Sequence, residues 1–483
     1  MGEVYTADRS LAGKLRRRIV RRFHRKPLAK GPDAPMVSFT FDDAPLTSAV
    51  AGAALLETRG LAGTYYVSAG LAGLVGSSQA TDTSGSLSNS FWDAGTSGRT
   101  IGYNLSGTGS ASNIVGLGGS TGLSAYNPAN YAGLDLSNTW YMVAGKTRPI
   151  LRSEYSASIT NAHQLQLMAL NLGGNYVLAN DIDASETTTA SGVWNPANGF
   201  VPVGPNPSTP FTGSLDGGDH SIFDLRIVTA AGTAQTYYGG FAQTGFAGLF
   251  GAVGVNGHIF DLNLDNVDVT GGDGVVAGAL SGGFLGRADN VSSSGTVTGG
   301  NGVLTGPGFA AVSIGGLVGG FDGAISNSHS SVTVAGGNAY AGGLVGATSA
   351  VAGVPAGSIT DSYATGNVTV GGYPAGADGD PTAGGLVGAL GGYAFGNVNP
   401  IPLTVSGSYA TGTVTGGGGS SVGGFAGVVV ESNITTSYAT GAAIQTAGGQ
   451  NGNFNWIGGF AGMITDSASV TQSWSSGSVT TIG

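Results

Sequence analysis

A short glycine-rich element that returns at uneven intervals limits what this chain can fold into. Gly-Leu-Phe-Gly stands at 248–251, and Gly-Gly-(Leu/Phe)-x-Gly recurs at 282–286, 315–319, 342–346, 384–388, 423–427 and 458–462. Successive copies lie 27 to 42 residues apart. Between them a second element, Ser-Tyr-Ala-Thr-Gly, stands at 362–366, 408–412 and 437–441, with Ser473-Trp-Ser-Ser-Gly477 as a variant. A third follows it, as Val368-Thr-Val370 and Thr413-Val-Thr415. Such self-similarity marks a repeat architecture, in which constant elements stack while the loops between them vary.

Each element is four to six residues of alternating character bounded by glycine, too short for a helix and right for a short strand. No Asn-Gly or Asp-Gly pair recurs between the elements at hairpin spacing, which argues against an antiparallel sandwich or propeller. The fold class that fits is all-β, a parallel β-helix whose coils stack at about 4.8 Å per rung. At roughly 22 residues per rung, the chain from 140 onward makes about fifteen rungs and a rod of roughly 70 Å. Inward core positions are Leu249, Leu317, Leu344, Leu386, Phe425 and Phe460. Tyr363, Tyr409 and Tyr438 share one repeat position with Trp474, which reads as an internal aromatic stack; a surface stripe for glycan stacking is the alternative. Paired glycines supply corners, through positive φ or close backbone approach.

Composition supports this. The 91 glycines follow no G-X-Y period, which excludes collagen, and only 9% of residues are charged. Residues 1–30 hold 10 of the 17 Lys and Arg, leaving seven bases against 25 acids in the rest. A surface this acidic cannot neutralise phosphates, so the repeats are not expected to bind nucleic acid. No run of 18 apolar residues exists to span a bilayer as a helix. The first residues lack the apolar core and small-residue cleavage site of a secretory signal.

The chain reads as four pieces. Residues 1–76 carry a basic amphipathic helix around Leu11, Leu15, Ile19 and Phe23. A strand at Met36–Phe41, a helix at Ser48–Arg59 and a second strand at Thr64–Val67 follow, the opening of an α/β fold. Residues 77–139 form a Ser- and Gly-rich linker or degenerate coil, in which Leu87-Ser-Asn-Ser-Phe-Trp92 looks like Ile325-Ser-Asn-Ser-His329. Residues 140–247 are the first coils, and 248–483 the clear repeats.

The sharpest chemical signal is Asp42-Asp43 after the first strand, where an acidic pair can supply a general base and a metal ligand. Val37-Ser-Phe-Thr-Phe-Asp-Asp43, with Gly63-Thr-Tyr-Tyr-Val67, resembles the start of the NodB-like polysaccharide deacetylases. The resemblance covers about residues 1–76. It implies Asp42 as base and Asp43 as ligand to a divalent metal such as zinc, completed by two histidines of a His-x-x-x-His element. Among His24, His163, His220, His258 and His329 no two are four or five apart, so this piece is expected to be an inactive remnant.

The Gly-Gly-Leu-Val-Gly and Ser-Tyr-Ala-Thr-Gly elements, with the block from Trp140 to Leu151 and Phe211–His220, resemble the GLUG-motif repeats of filamentous-haemagglutinin-like and autotransporter exoproteins. This resemblance covers about 83–483. It implies a right-handed parallel β-helix at or beyond the cell surface, with a structural and adhesive role and a surface glycan or protein receptor as partner. The chain shows neither the secretion domain nor the translocator of complete members. The reading is a monomeric rod without catalytic activity or cofactor; a metal-dependent chitooligosaccharide deacetylase with a β-helical extension is the alternative. Arg287 is the one base available to a lyase after Arg226, and Asp216 and Asp219, the nearest acidic pair, read as turn residues, as does His220. Asp273, Asp322 and Asp378 do not repeat as calcium-binding coils require.

Overall fold

The computed structural model describes residues 40–42, 64–66, 74–78, 86–105, 110–232, 236–238, 241–304, 309–310, 312–348, 357–372, 381–391, 402–446 and 456–482. The chain divides into two compact units: 1–83 with 103–108, and 84–102 with 109–483. In the first unit, Thr40–Asp42 pairs in parallel with Thr64–Tyr66, and Val75–Ser78 with Tyr103–Leu105. The basic helix, the helix at 48–59 and Asp43 lie outside the described residues. Of the strand expected at Met36–Phe41, Thr40 and Phe41 are described and stand in a strand, and residues 36–39 lie outside the described residues.

The second unit is mostly β, built from parallel strands in five ladders. Ladder A runs through Gly245–Ala247, Val275–Gly278, Val312–Gly315, Ala339–Gly342, Thr382–Gly384, Ser421–Gly423 and Trp456–Gly458. Ladder B runs from Phe250–Val253 to Ala461–Thr465. In the later coils, ladder C includes Ala324–Ser326 and Ser358–Thr360, ladder D His329–Ser330 and Tyr363–Ala364, and ladder E Thr333–Gly336 and Val368–Val370. The chain passes A, B, C, D and E in order, then returns to A one row further on. Among the described residues of this unit, antiparallel pairing is limited to short pairs, such as Thr236–Tyr238 with Phe241–Gln243, and isolated bridges such as Thr147 with Trp194.

Register explains the sequence elements. Leu317 N–H donates to Leu344 O, Leu344 to Leu386, Leu386 to Phe425 and Phe425 to Phe460, so these residues form one column. Leu249, Leu317, Leu344, Leu386 and Phe425 are fully buried. Phe460 is half-buried because it lies in the last described row, packed on one side only. One alignment needs correcting. Gly278 pairs with Gly315 and Ser281 with Val318, so Gly278-Ala279-Leu280 is the counterpart of Gly315-Gly316-Leu317. Gly282-Gly-Phe-Leu-Gly286 therefore falls four residues later in its coil, and Leu280 holds the core position.

The described rungs are also longer and fewer than a rung of roughly 22 residues implies. Ladder C counts ten described rows, beginning at Ser158–Ile159 and ending at Ser469–Thr471. Ile259 to its partner Ala288 takes 29 residues and Ile359 to Val405 takes 46, because five strands and their corners fill each turn before any loop is added. Coil-like pairing also starts earlier than residue 140. Ser86–Asp93 pairs in parallel with Ser110–Leu117, with Asn89 and Asn113 both at positive φ and the Asn113 Nδ2 donating to Asn89 Oδ1 over 2.8 Å.

The glycine pairs act through close approach. A Cβ on Gly343 would lie 2.2 Å from Gly385 O and 2.8 Å from the Ala364 methyl; one on Gly385 would lie 2.9 Å from the Ala410 methyl. The pair thus faces the inward alanine of Ser-Tyr-Ala-Thr-Gly across a narrow coil, which is why the two elements occur together. The terminal glycine of that element forms its own column: a Cβ on Gly412 would meet Gly366 O at 1.9 Å, and one on Gly441 would meet Gly412 O at 1.9 Å. Between ladders C and D the chain turns through a left-handed residue, Asn290, Asn327, Asp361, Gly407, Thr436 and Gln472 in successive coils. Asn, Asp and Gly adopt this region readily, whereas a β-branched threonine is strained there.

These corners give opposite expectations. Gly412→Ala is expected to destabilise by about 2–4 kcal/mol, because backbone must move to admit the methyl. Thr436→Asn is expected to stabilise by roughly 1 kcal/mol by relieving strain. Chemical denaturation of the full chain followed by circular dichroism measures both; equal midpoints for the two variants would contradict the corner geometry.

Candidate functional site

The two acidic residues singled out in the sequence divide between the described and undescribed parts. Asp42 ends a strand paired in parallel with Thr64–Tyr66, and Asp43 is outside the described residues. Of the histidines, His24 lies outside the described residues, and three others pair with carboxylates. His163 Nδ1 is 3.0 Å from Glu154 Oε2 and its Nε2 3.3 Å from Glu186 Oε2. His220 Nδ1 lies 3.1 Å from Asp181 Oδ1, and His258 Nε2 3.0 Å from Asp289 Oδ2. Asp216 Oδ1 accepts from Gly218 N–H over 2.8 Å, closing a turn, and Asp219 sits at φ 61° at a corner. The Arg287 guanidinium is bound to Asp289. Among the described residues no group of three or more His, Asp or Glu is placed to hold a metal ion, and no helix is long and apolar enough to cross a membrane.

The most ordered surface feature is the aromatic row of ladder D. His329, Tyr363, Tyr409, Tyr438 and Trp474 are register partners in successive strands. Their ring centroids are 4.7, 4.6, 4.9 and 4.8 Å apart, with interplanar angles of 7° or less. The shared repeat position reads as an internal stack, but the row lies on the outside of the coils. In the first four strands the next residue, Ser330, Ala364, Ala410 or Ala439, is the buried one, and strand alternation turns the ring outward. The three tyrosines are half-buried, and Trp474 is 53% exposed.

One kind of residue behind this row was not singled out in the sequence for a role of its own. Ser328, Ser362, Ser408, Ser437 and Ser473 precede the rings and form a chain of hydrogen bonds. Each Oγ donates to the carbonyl two residues earlier, as Ser362 to Thr360 O at 2.7 Å and Ser408 to Ser406 O at 2.9 Å. Each also accepts a backbone N–H from the preceding coil, as Ser362 Oγ from Ser328 N–H at 3.2 Å and Ser408 Oγ from Ser362 N–H at 3.3 Å. The repeated Ser before Tyr was the available signal. These bonds satisfy backbone donors where the left-handed corner breaks the strand ladder.

The stack dictates what the row can do. A sugar packs on an aromatic ring through the ring face, and here each inner face is covered by the next ring at van der Waals distance. What remains outward is a line of ring edges and phenol hydroxyls. Burial, and then the neighbouring phenols of Tyr363 and Tyr438, push the Tyr409 hydroxyl above its usual range. Burial alone holds His329 below the usual imidazole value.

Comparison with known proteins places few limits on the chain. No family model matches it. A stretch of 106 residues, 22% of the chain, is 46% identical to Halomucin of Haloquadratum walsbyi (strain DSM 16790 / HBSQ001). The matched stretch is about 1% of Halomucin's length. Among solved structures, a candidate immunoglobulin A1 protease from Bacteroides ovatus aligns over 64% of this chain and 84% of its own, at 20% identity and a TM-score of 0.41.

The Tyr409 phenol is raised in the folded chain, so the neutral form is favoured there. Its stabilising contribution is complete below the ordinary tyrosine value of about 10 and is lost as pH rises through the higher folded value. Urea midpoints are therefore expected to fall between pH 9.5 and 11 more steeply in the parent chain than in Tyr409→Phe, which keeps the stack without the ionising group; identical slopes would contradict it.

Proposed function

We propose that residues 140–482 form a right-handed parallel β-solenoid of the GLUG-repeat kind, and that the chain is an extracellular or cell-surface structural protein that makes adhesive contacts. One observation carries the reading: five parallel ladders visited in fixed order, with Leu317, Leu344, Leu386 and Phe425 in one interior column. Ten rows at about 4.8 Å give the stacked part a length of roughly 45 Å. An architecture that repeats along one axis presents long flanks and variable loops, which suits contact with other molecules over a surface. The 46% identity to a stretch of Halomucin, a protein named as a mucin, supports a place outside the cell. The positions of the described histidines and of Arg287, each bonded to carboxylates or stacked, support a structural role for them.

Two experiments test this. On intact producing cells, antibody raised against the repeats is expected to label the surface or the medium, and external protease to remove that label. Label found only after lysis would defeat the surface reading. For residues 1–76 the proposal is an inactive deacetylase-like segment. Purified full chain supplied with zinc or cobalt is expected to release no acetate from chitooligosaccharides; release that disappears in Asp43→Ala would overturn that part and restore the enzyme.

A further inference from the structure

The repeat is interrupted at one place on its flank. At the turn from ladder D to ladder E, Asp224, Asn266 and Gly295 follow one another in successive coils, all at positive φ (57°, 52° and 114°). The register of the paired strands shifts between Leu264 and Val267 at the same level. Later coils turn here through the close-packed glycine column of Gly366, Gly412 and Gly441, whose φ values are not positive. The wider turn leaves a groove of about 360 Å³, bordered on one side by the short helix Ser185–Thr188 and floored by Val267. That volume lies in the range that takes small ligands.

Its polar groups are held but not used up. Arg226 Nη1 donates to Pro196 O at 2.5 Å, and its Nε is 3.3 Å from Asp268 Oδ2. Asn266 Nδ2 donates to Asp224 Oδ1 at 2.6 Å. Among the described residues, Arg226 Nη2, Asp224 Oδ2, Asp268 Oδ1, Asn266 Oδ1 and the Thr296 hydroxyl have no hydrogen-bond partner. Arg226, Asp268 and Thr296 are register partners in three successive coils, so their side chains stand in a line along the groove. Two carboxylates disfavour an anion, and the fixed guanidinium disfavours a bare cation. What matches interleaved acceptors and donors of both signs is a ligand rich in adjacent hydroxyls. We propose that this groove binds a neutral saccharide, with the two carboxylates accepting from vicinal hydroxyls and Arg226 Nη2 donating to a sugar oxygen. The inference rests on the contact role proposed above and names its ligand class.

The test uses the fluorescently labelled full chain on an array of neutral, sialylated and sulfated glycans, alongside Asp268→Ala and Thr296→Tyr. Both positions lie at the exposed rim, and circular dichroism and melting temperature confirm folding. The expected result is binding to neutral glycans that drops at least about tenfold in each variant, the size of a lost charged hydrogen bond or a blocked groove. Absence of neutral-glycan binding, preference for acidic glycans, or binding equal in parent and both variants would overturn it. So would calcium binding by the parent chain that Asp268→Ala removes. None of these outcomes touches surface labelling of intact cells, so the groove can fail while the structural reading stands.

Discussion

Everything in the repeat unit follows from one spacing, the short distance at which each coil's backbone bonds to the next. Parallel in-register pairing places every residue against its own counterpart one row away, so a coil position must tolerate a copy of itself. Branched aliphatic residues do this by interlocking, as Ile325, Ile359, Val405 and Ile434 do in ladder C. Tyrosines do it by stacking, and serines by passing one hydrogen bond along the row. Charged residues do it badly, which gives a physical reason for the low charge of a chain with long ladders. The glycine column is the extreme case: at 1.9 Å from a neighbouring carbonyl, no side chain can be added without moving backbone.

The same constraint explains why loop length is free. Register is fixed by five short strands, and the segments joining them need only start and end at the right height. From Ile325 the chain takes 34 residues to reach its partner Ile359, and from Ile359 it takes 46 to reach Val405, with no change in pairing. The added loop costs little more than its closure entropy, which grows slowly with length. The serine row helps here too. Where the left-handed corner interrupts the ladder, a hydroxyl takes the backbone N–H that the corner leaves unpaired, so insertions elsewhere in the coil leave that junction intact.

Much of the fold was legible because identical neighbours imprint identity on the sequence. Leu317, Leu344 and Leu386 and the Tyr363, Tyr409 and Tyr438 position stood out as repeats, and each set is a column in space. Direction was less legible. Tyrosine reads as apolar, yet the narrow space opposite Gly343 and Gly385 admits only the alanine beside it, and the ring is turned out. Alignment failed at Gly282, where a second glycine pair imitates the first but sits four residues later in its coil, and only the pairing of Gly278 with Gly315 separates them. Rung length was misjudged because a rung of roughly 22 residues was assumed, although the glycine element occurs once per coil and its copies already stand 27 to 42 residues apart. The left-handed corner was hidden as well, since Asn327, Asp361, Gly407 and Gln472 share a conformation and no side-chain type.

Function is least legible for a related reason. Perfect repetition covers its own surfaces: stacked rings hide their faces, column serines spend their hydroxyls, and corner glycines leave no room. A site able to hold a small ligand therefore requires that repetition fail somewhere, leaving polar groups that the next coil does not claim. In the described flank that happens where Asp224, Asn266 and Gly295 replace the tight glycine corner and the strand register shifts beside Val267. Arg226 and Asp268 have no like residue at their register position in the later coils, where Thr296 and then Thr333 stand, and so recurring motifs do not mark them. In a protein built from copies, the informative positions for binding are the ones that are not copied.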